Sequence, residues 1–258
     1  MKPGTAELAL VRRVVGLDVA RVPLQHGRAT LALPRCQDAL LDLYIEQAAA
    51  FEHRVPYYGV VWPSAIALAR EAASAVRAGD SVLELGSGVG LGGIGAALTC
   101  SPSSVTLTDL DPAAARLGRF NARLSGVSSL VRYAALDWTE LDSWPRRAFD
   151  CAIAADVIYE EAACRPIARV LARTLRPGGR FLLADGKGRV NRDRLKSALE
   201  NDGAFVPSGS PWHVTLDASH EPQPAQSSPR DAARDSSREQ NVVLMLWERT
   251  DTDVSADV

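Results

Sequence analysis

Residues 81–93, SVLELGSGVGLGG, decide how the chain is read. Val82, Leu83 and Leu85 form a short apolar run that stops at a cluster of glycines. A second apolar run begins at Ile94. This order predicts a buried strand, a tight glycine turn and the first turn of a helix. Such a turn lets backbone approach a ligand closely and aims unpaired helix N–H groups at it.

The rest of the chain supplies the setting. Its 258 residues are 47% hydrophobic and 23% charged, with a net charge of −2. One large globular domain with appendages is expected. The charge gives no electrostatic reason to expect nucleic acid. No apolar stretch reaches the ~20 residues that span a bilayer, so no membrane association is expected. The first residues lack the apolar core of a secretory signal. Cys36, Cys100, Cys151 and Cys164 show no C-x-x-C spacing, and the four histidines are scattered. Buried reduced thiols and no metal site are therefore expected; a monomer is expected, in the cytoplasm, with the nucleus or an organelle as the alternatives.

Residues 1–55 read as an extension of short strands, a hairpin within 1–35, and a helix over 37–51. Pro63 suits the first turn of a helix running to about Val76. After the glycine turn, strands at 104–108, 130–134, 149–155 and 180–184 alternate with helices. Asp111-Pro112 opens one of these helices and Asn191 caps another. The alternation predicts an α/β fold: a doubly wound, Rossmann-like, mostly parallel sheet of seven strands. Residues 218–240 carry no apolar side chain larger than Ala and read as a mobile loop. Residues 241–247 then return as a strand, predicted to pair antiparallel and close one edge. The domain so defined spans 56–249, and 250–258 form a flexible tail.

The glycine turn fits two cofactors. Gly88-x-Gly90-x-x-Gly93 satisfies a dinucleotide pattern. Glu84-x-Gly86-x-Gly88-x-Gly90 places an acid inside the strand ahead of the turn. Asp109 ends the second strand, where a carboxylate can accept both ribose hydroxyls of either cofactor. Asp137-Trp138 follows the third strand and offers an acceptor and an aromatic face. Asp156-Val157-Ile158-Tyr159 follows the fourth, beyond the carboxyl end where doubly wound sheets bind ligands.

Taken together, these residues resemble the class I, seven-strand methyltransferases that use S-adenosylmethionine. Within them the chain is similar to the protein-lysine methyltransferase branch. The likeness is carried by Trp62-Pro63-Ser64, Glu84 to Leu91, Thr108-Asp109, Asp137-Trp138 and Ala155-Asp156-Val157-Ile158-Tyr159, the last matching a D-x-x-Y signature. It implies that Trp62, Glu84, Gly86, Ser87, Gly88, Gly90, Asp109, Asp137, Trp138 and Ala155 hold S-adenosylmethionine. It also implies that Asp156 and Tyr159 face a lysine side chain of a protein substrate. A small-molecule or protein-arginine N-methyltransferase, and a cofactor-binding scaffold without catalysis, are the alternatives on the same fold. A nicotinamide dehydrogenase is disfavoured because no proton-donor constellation follows the turn.

Overall fold

The computed structural model describes residues 5–52, 54–202, 204–224 and 239–250. An N-terminal helix, α1 (Thr5–Val14), precedes the hairpin β1 (Leu17–Pro23) and β2 (Arg28–Pro34), then α2 (Gln37–Glu46) and α3 (Pro63–Glu71). The alternating part follows: β3 (Ser81–Leu85), α4 (Leu91–Thr99), β4 (Ser104–Asp109), α5 (Pro112–Leu124), β5 (Val131–Ala135), β6 (Phe149–Ala155), α6 (Cys164–Thr174), β7 (Leu175–Gly186) and α7 (Arg192–Asp202). Short strands β8 (Phe205–Pro207), β9 (Trp212–Leu216) and β10 (Gln223–Pro224) lead to the long β11 (Gln240–Arg249).

The main sheet runs β5-β4-β3-β6-β7-β11-β8, with β9 also on β11. From β5 to β7 the strands are parallel, and β11 is antiparallel to β7. This is the expected doubly wound arrangement. Its strand count is eight because β8 and β9 occupy successive halves of one edge, opposite residues 249–247 and 244–240 of β11. Ser208 to Pro211 interrupt what is otherwise a single edge strand. β11 therefore does not close the sheet, as its sequence suggested; it lies one position inside that edge.

Residue alternation assigns each face. Val82 of β3 joins a core built with α3, α4, α5 and the N-terminal hairpin. Leu83 and Leu85 join the opposite core, with α6, α7, Trp144 and Phe205. A strand covered on both faces has no solvent side, hence its near-continuous apolar run. By the same alternation Glu84 falls on the α3–α5 side.

The hairpin forms as read, but α1 was not apparent from the sequence. The helix over 37–51 is shorter than expected: α2 ends at Glu46, and Phe51 turns back to stack on Tyr44 with ring centroids 3.8 Å apart. Residues 5–55 share the α3–α5 core. Asn121 of α5 is wholly buried and acts as the bolt. Its Oδ1 accepts from Ala32 N–H at 2.7 Å, and its Nδ2 donates to the carbonyls of Ala32 and Val89. One amide thus joins the hairpin, α5 and the glycine turn.

The loop expected to be mobile over 218–240 is partly ordered. Asp217 caps the 3-10 turn Ala218–His220, and Gln223–Pro224 pairs with Arg21 and Ala20 of β1. The exposed edge of β1 supplies the backbone partners that a polar, apolar-poor segment can still use. Residues 225–238 of that loop, and 251–258 of the expected tail, lie outside the described residues. Three thiols are buried as expected, and burial pushes the Cys151 thiol up to about 12, but Cys36 is exposed. Among the described residues no helix is long and apolar enough to cross a membrane, and no His/Cys/Asp/Glu group could hold a metal.

Replacing Asn121 with Ala strands three buried backbone groups. Unfolding in denaturant should show a loss of about 3 kcal/mol. A loss below about 0.5 kcal/mol would mean that the hairpin is held otherwise.

Candidate active site

A cleft of about 350 Å3 opens beyond the carboxyl ends of β3, β4, β5 and β6. Of the residues singled out in the sequence, Trp62, Glu84, Gly86, Ser87, Gly88, Asp109, Asp137, Trp138, Ala155, Asp156 and Tyr159 line it. Gly90 does not. At φ +86° it is the N-cap of α4, and a Cβ there would stand 2.8 Å from Leu107 Cδ1. Its lack of a side chain serves packing of α4 against β4.

The turn is held from both sides. Ser87 N–H donates to the Thr108 carbonyl at 2.8 Å, and Gly88 N–H donates to Asp109 Oδ2 at 2.8 Å. Asp109 Oδ1 accepts from Asp111 N–H. Each Asp109 oxygen thus has a backbone donor, and the Leu110 N–H also draws on the carboxyl. Burial pushes this carboxyl up to about 6 from 3.8, against the pull of those N–H groups. At Gly86, φ is +60°, and a Cβ would meet Val157 Cγ1 at 2.8 Å and Trp138 Cζ2 at 3.4 Å. Glycine is needed there because the strand end, the Val157 loop and the Trp138 ring all converge. Ser87 is nearly buried, and its Oγ has no hydrogen-bond partner.

Glu84 is the buried carboxylate that the alternation of β3 places against α4. Its Oε2 accepts from Gly93 N–H at 2.8 Å, in the first turn of that helix. Gly90 has no side chain with which to cap, so Glu84 supplies the cap from the neighbouring strand. A Cβ on Gly93 would lie 2.9 Å from Glu84 Oε2 and closer still to Leu107. The resemblance put this acid against the cofactor; it touches the cleft while its carboxylate serves the helix.

At the mouth, Asp156 leaves β6 with φ +51°, a left-handed conformation costly for a residue with a side chain. Its N–H donates to the Ala184 carbonyl, and its Oδ1 accepts from Arg189 Nη2 at 2.9 Å. Tyr159 and Trp62 are both about half exposed. The Tyr159 ring lies 5.2 Å from that of Tyr57, and Trp62 Nε1 donates to the Tyr57 carbonyl at 3.0 Å. Three aromatic rings therefore flank the approach to Asp156. Across the cleft, Asp137 Oδ1 is taken by the Thr139 N–H and hydroxyl.

Sequence reasoning missed Tyr57, Tyr58, Arg54 and Arg189. Tyr58 lies under Gly88, and Tyr44 Oη donates to Asp111 Oδ2 at 2.8 Å beside it. Burial raises both tyrosine hydroxyls. The aromatic pair Tyr57-Tyr58 ahead of Trp62 was the available signal.

Burial also pushes the Glu84 carboxyl up to about 8 from 4.5, with the Gly93 and Gly92 N–H groups drawing it part of the way back. A folded pKa above the unfolded one means that the folded chain binds this proton more tightly. The stability it contributes is complete below 4.5 and is lost as pH rises towards 8. Glu84→Gln keeps an acceptor for the helix but cannot ionise. Melting temperatures measured across that window should fall for the natural protein relative to the variant as pH rises. Parallel profiles would contradict the buried acid.

The profile of a family described as lysine methyltransferase matches residues 50–200. The electron transfer flavoprotein beta subunit lysine methyltransferase of Mus musculus is 31% identical over 133 residues, 51% of this chain and 48% of that protein. Protein N-lysine methyltransferase METTL21A of Danio rerio is 32% identical over 145 residues, 54% of this chain and 65% of that protein. The chain spans about half the length of the mouse relative. Among solved structures, a protein of echinomycin biosynthesis, studied for conversion of a disulfide bond into a thioacetal group, superposes with a TM-score of 0.55 at 18% identity, covering 83% of this chain and 93% of its own. A geranyl diphosphate methyltransferase in complex with SAM superposes at 0.50 with 20% identity, covering 72% and 84%. These structural likenesses bear on the fold. With its profile matched over more than half of the residues, the chain belongs to the lysine methyltransferase family.

Proposed function

We propose that the chain is an S-adenosylmethionine-dependent methyltransferase acting on a lysine side chain of a protein. The observation that carries this reading is the position of Asp156, a largely buried carboxylate at the aromatic mouth of a cleft floored by the glycine turn.

The residues present fit the cofactor. The unpartnered Ser87 Oγ and the glycine turn suit its amino-acid end. Asp109, at the cleft, keeps acceptor capacity for the ribose hydroxyls beyond its backbone donors. Trp138 offers a ring face for the adenine, with Asp137 beside it. Glu84 acts through the turn, by holding α4 in place behind it. When bound, the cofactor supplies a methyl group on a cationic sulfur that is its own leaving group.

The chain's own part is positioning and proton control. A lysine amine is protonated near pH 7 and must lose a proton before it can attack. Asp156 receives the ammonium by a charge-assisted hydrogen bond and orients the lone pair once the proton has passed to water. Tyr159, Tyr57 and Trp62 wall the approach and exclude solvent from it. Aromatic faces near a cation add about 0.5–2 kcal/mol per good contact.

A first candidate acceptor is the electron transfer flavoprotein beta subunit, for which the mouse relative is named. The chain should be incubated with methyl-labelled S-adenosylmethionine and either that protein or a desalted cell lysate. Label in protein that mass spectrometry maps to methyl-lysine supports the reading. Label confined to small molecules, or to arginine, overturns it. Asp156→Ala should lower transfer by about a hundredfold or more while leaving cofactor affinity by calorimetry within about threefold. Gly86→Val, by contrast, should abolish cofactor binding, because its side chain meets Val157 and Trp138.

A further inference from the structure

Asp156 and Asp185 stand at the ends of adjacent parallel strands, since Ala155 of β6 pairs with Ala184 of β7. Asp185 is fully buried, and burial together with the neighbouring Asp156 raises its carboxyl. Two acids so close need a cation, and Arg189 supplies it to both. Its Nη2 donates to Asp156 Oδ1 at 2.9 Å and its Nε to Asp185 Oδ1 at 3.2 Å.

The turn that presents Arg189 is itself fixed. Arg189 N–H donates to the Gly186 carbonyl at 3.0 Å, and Lys187 N–H donates to Asn241 of β11. Arg192, at the start of α7, donates to the carbonyls of Gly186 and Lys187 and lies 3.6 Å from Asp185 Oδ2. Asn191 stands just ahead of α7, where its carbonyl accepts from Leu195 N–H at 3.0 Å. Its Nδ2 donates to the Ile158 carbonyl at 2.9 Å. The segment 186–192 thus grips the segment 156–159 at two points, through Arg189 on Asp156 and Asn191 on Ile158. Arg189 itself does not line the cleft. It reaches the acceptor only through Asp156.

We propose that Arg189 is a positioning residue for the acceptor lysine, fixing Asp156 by one carboxylate oxygen so that the other faces the incoming amine, and acting as a fixed cation that disfavours the ammonium form. This rests on the lysine-transfer reading above. The electrostatic sense is simple. A carboxylate alone holds a lysine protonated, which retards attack. A carboxylate already paired with guanidinium still accepts a hydrogen bond but stabilises the positive charge much less. The other ionisable groups facing this end are Tyr159 and Glu160 after β6, Tyr57 ahead of α3, and Asp109 at the end of β4. None of these four is a cation. Arg54, the cation that does line the cleft, is paired with Glu52 and Asp111.

The test compares the natural protein with Arg189→Gln and Arg189→Lys. The acceptor probe is a desalted cell lysate with methyl-labelled S-adenosylmethionine at saturation, and initial rates of lysine methylation are followed against pH. Arg189→Gln should lower the rate near pH 7 by about tenfold or more and move the acid limb up by about one pH unit, because the amine holds its proton longer. Arg189→Lys should recover most of the rate and return the limb. Cofactor affinity by calorimetry should be nearly unchanged in both, while Arg189→Gln should melt at a lower temperature because Asp185 is left with Arg192 alone, so rates are compared well below that melting point. An Arg189→Gln rate and limb matching the natural protein would overturn the proposal. So would a lower rate with an unmoved limb that Lys fails to rescue, which marks a structural role. A faster Arg189→Gln enzyme would show Arg189 blocking Asp156 and also overturn it. Absence of lysine methylation by the natural protein would overturn the lysine-transfer reading as well, which separates the two failures.

Discussion

The site depends on a carboxylate placed in an otherwise apolar face. Glu84 points from β3 into the layer shared with α3, α4 and the hairpin, and it is almost wholly buried. Burial of that kind is tolerated only when donors meet the oxygens. The donors are the N–H groups opening α4. This one interaction fixes the helix start against the strand end, and so fixes the turn between them. It also divides the glycines by purpose. Gly86 yields room for Val157 and Trp138, while Gly90 and Gly93 yield room for Leu107 and Glu84. A string of glycines that resembles one motif is two packing problems side by side.

The frame around that turn is held by polar bolts more than by its own helix propensity. Asn121 joins the hairpin to α5 and to the Val89 carbonyl. Thr108 hydroxyl donates to the Glu84 carbonyl at 2.6 Å, across adjacent strands. Residues 5–55 thereby become part of the wall behind the cleft. Tyr44 and Tyr58 carry this wall up to the turn and to Asp111.

Local signals explain what the sequence made legible. The core strands are short apolar runs bounded by Gly, Pro and Asp, and such runs report burial on both faces. Strand ends in a doubly wound sheet are also where ligands sit, so Asp109, Asp137 and Asp156 could be singled out one by one. What failed to show was non-local. Phe205–Pro207 is too short and is ended by proline, and Gln223–Pro224 is not apolar; their partners on β11 and β1 make them strands. Asn191 reads as a helix cap, and local spacing gives no hint that its amide also donates to the Ile158 carbonyl. Arg189 stands 33 residues beyond Asp156, with no spacing rule to link them. The signal available was physical: acids ending two adjacent strands call for a cation, and the turn after the second acid contains one.

Four acids end consecutive strands in the order β4, β3, β6, β7, and they are answered in two ways. Asp109 and Glu84 are met by backbone N–H groups, which bring dipoles but no full counter-charge. Both carboxyls are accordingly raised, to about 6 and about 8. Asp109, raised only to about 6, still carries its negative charge near neutral pH, which suits the cationic sulfur of the cofactor proposed for this cleft. Asp156 and Asp185 are met by arginines, whose positive charges offset theirs in part: burial and the neighbouring Asp156 still hold the Asp185 carboxyl up at about 7. With the lysine transfer proposed above, that half of the cleft suits an acceptor that arrives charged but reacts uncharged. On this reading the cleft is graded along the sheet, more attractive to a cation at the β3–β4 end than at the β6–β7 end, where arginine already answers Asp156. The gradient follows from which strand ends face a helix N-terminus and which face the turn at 186–192.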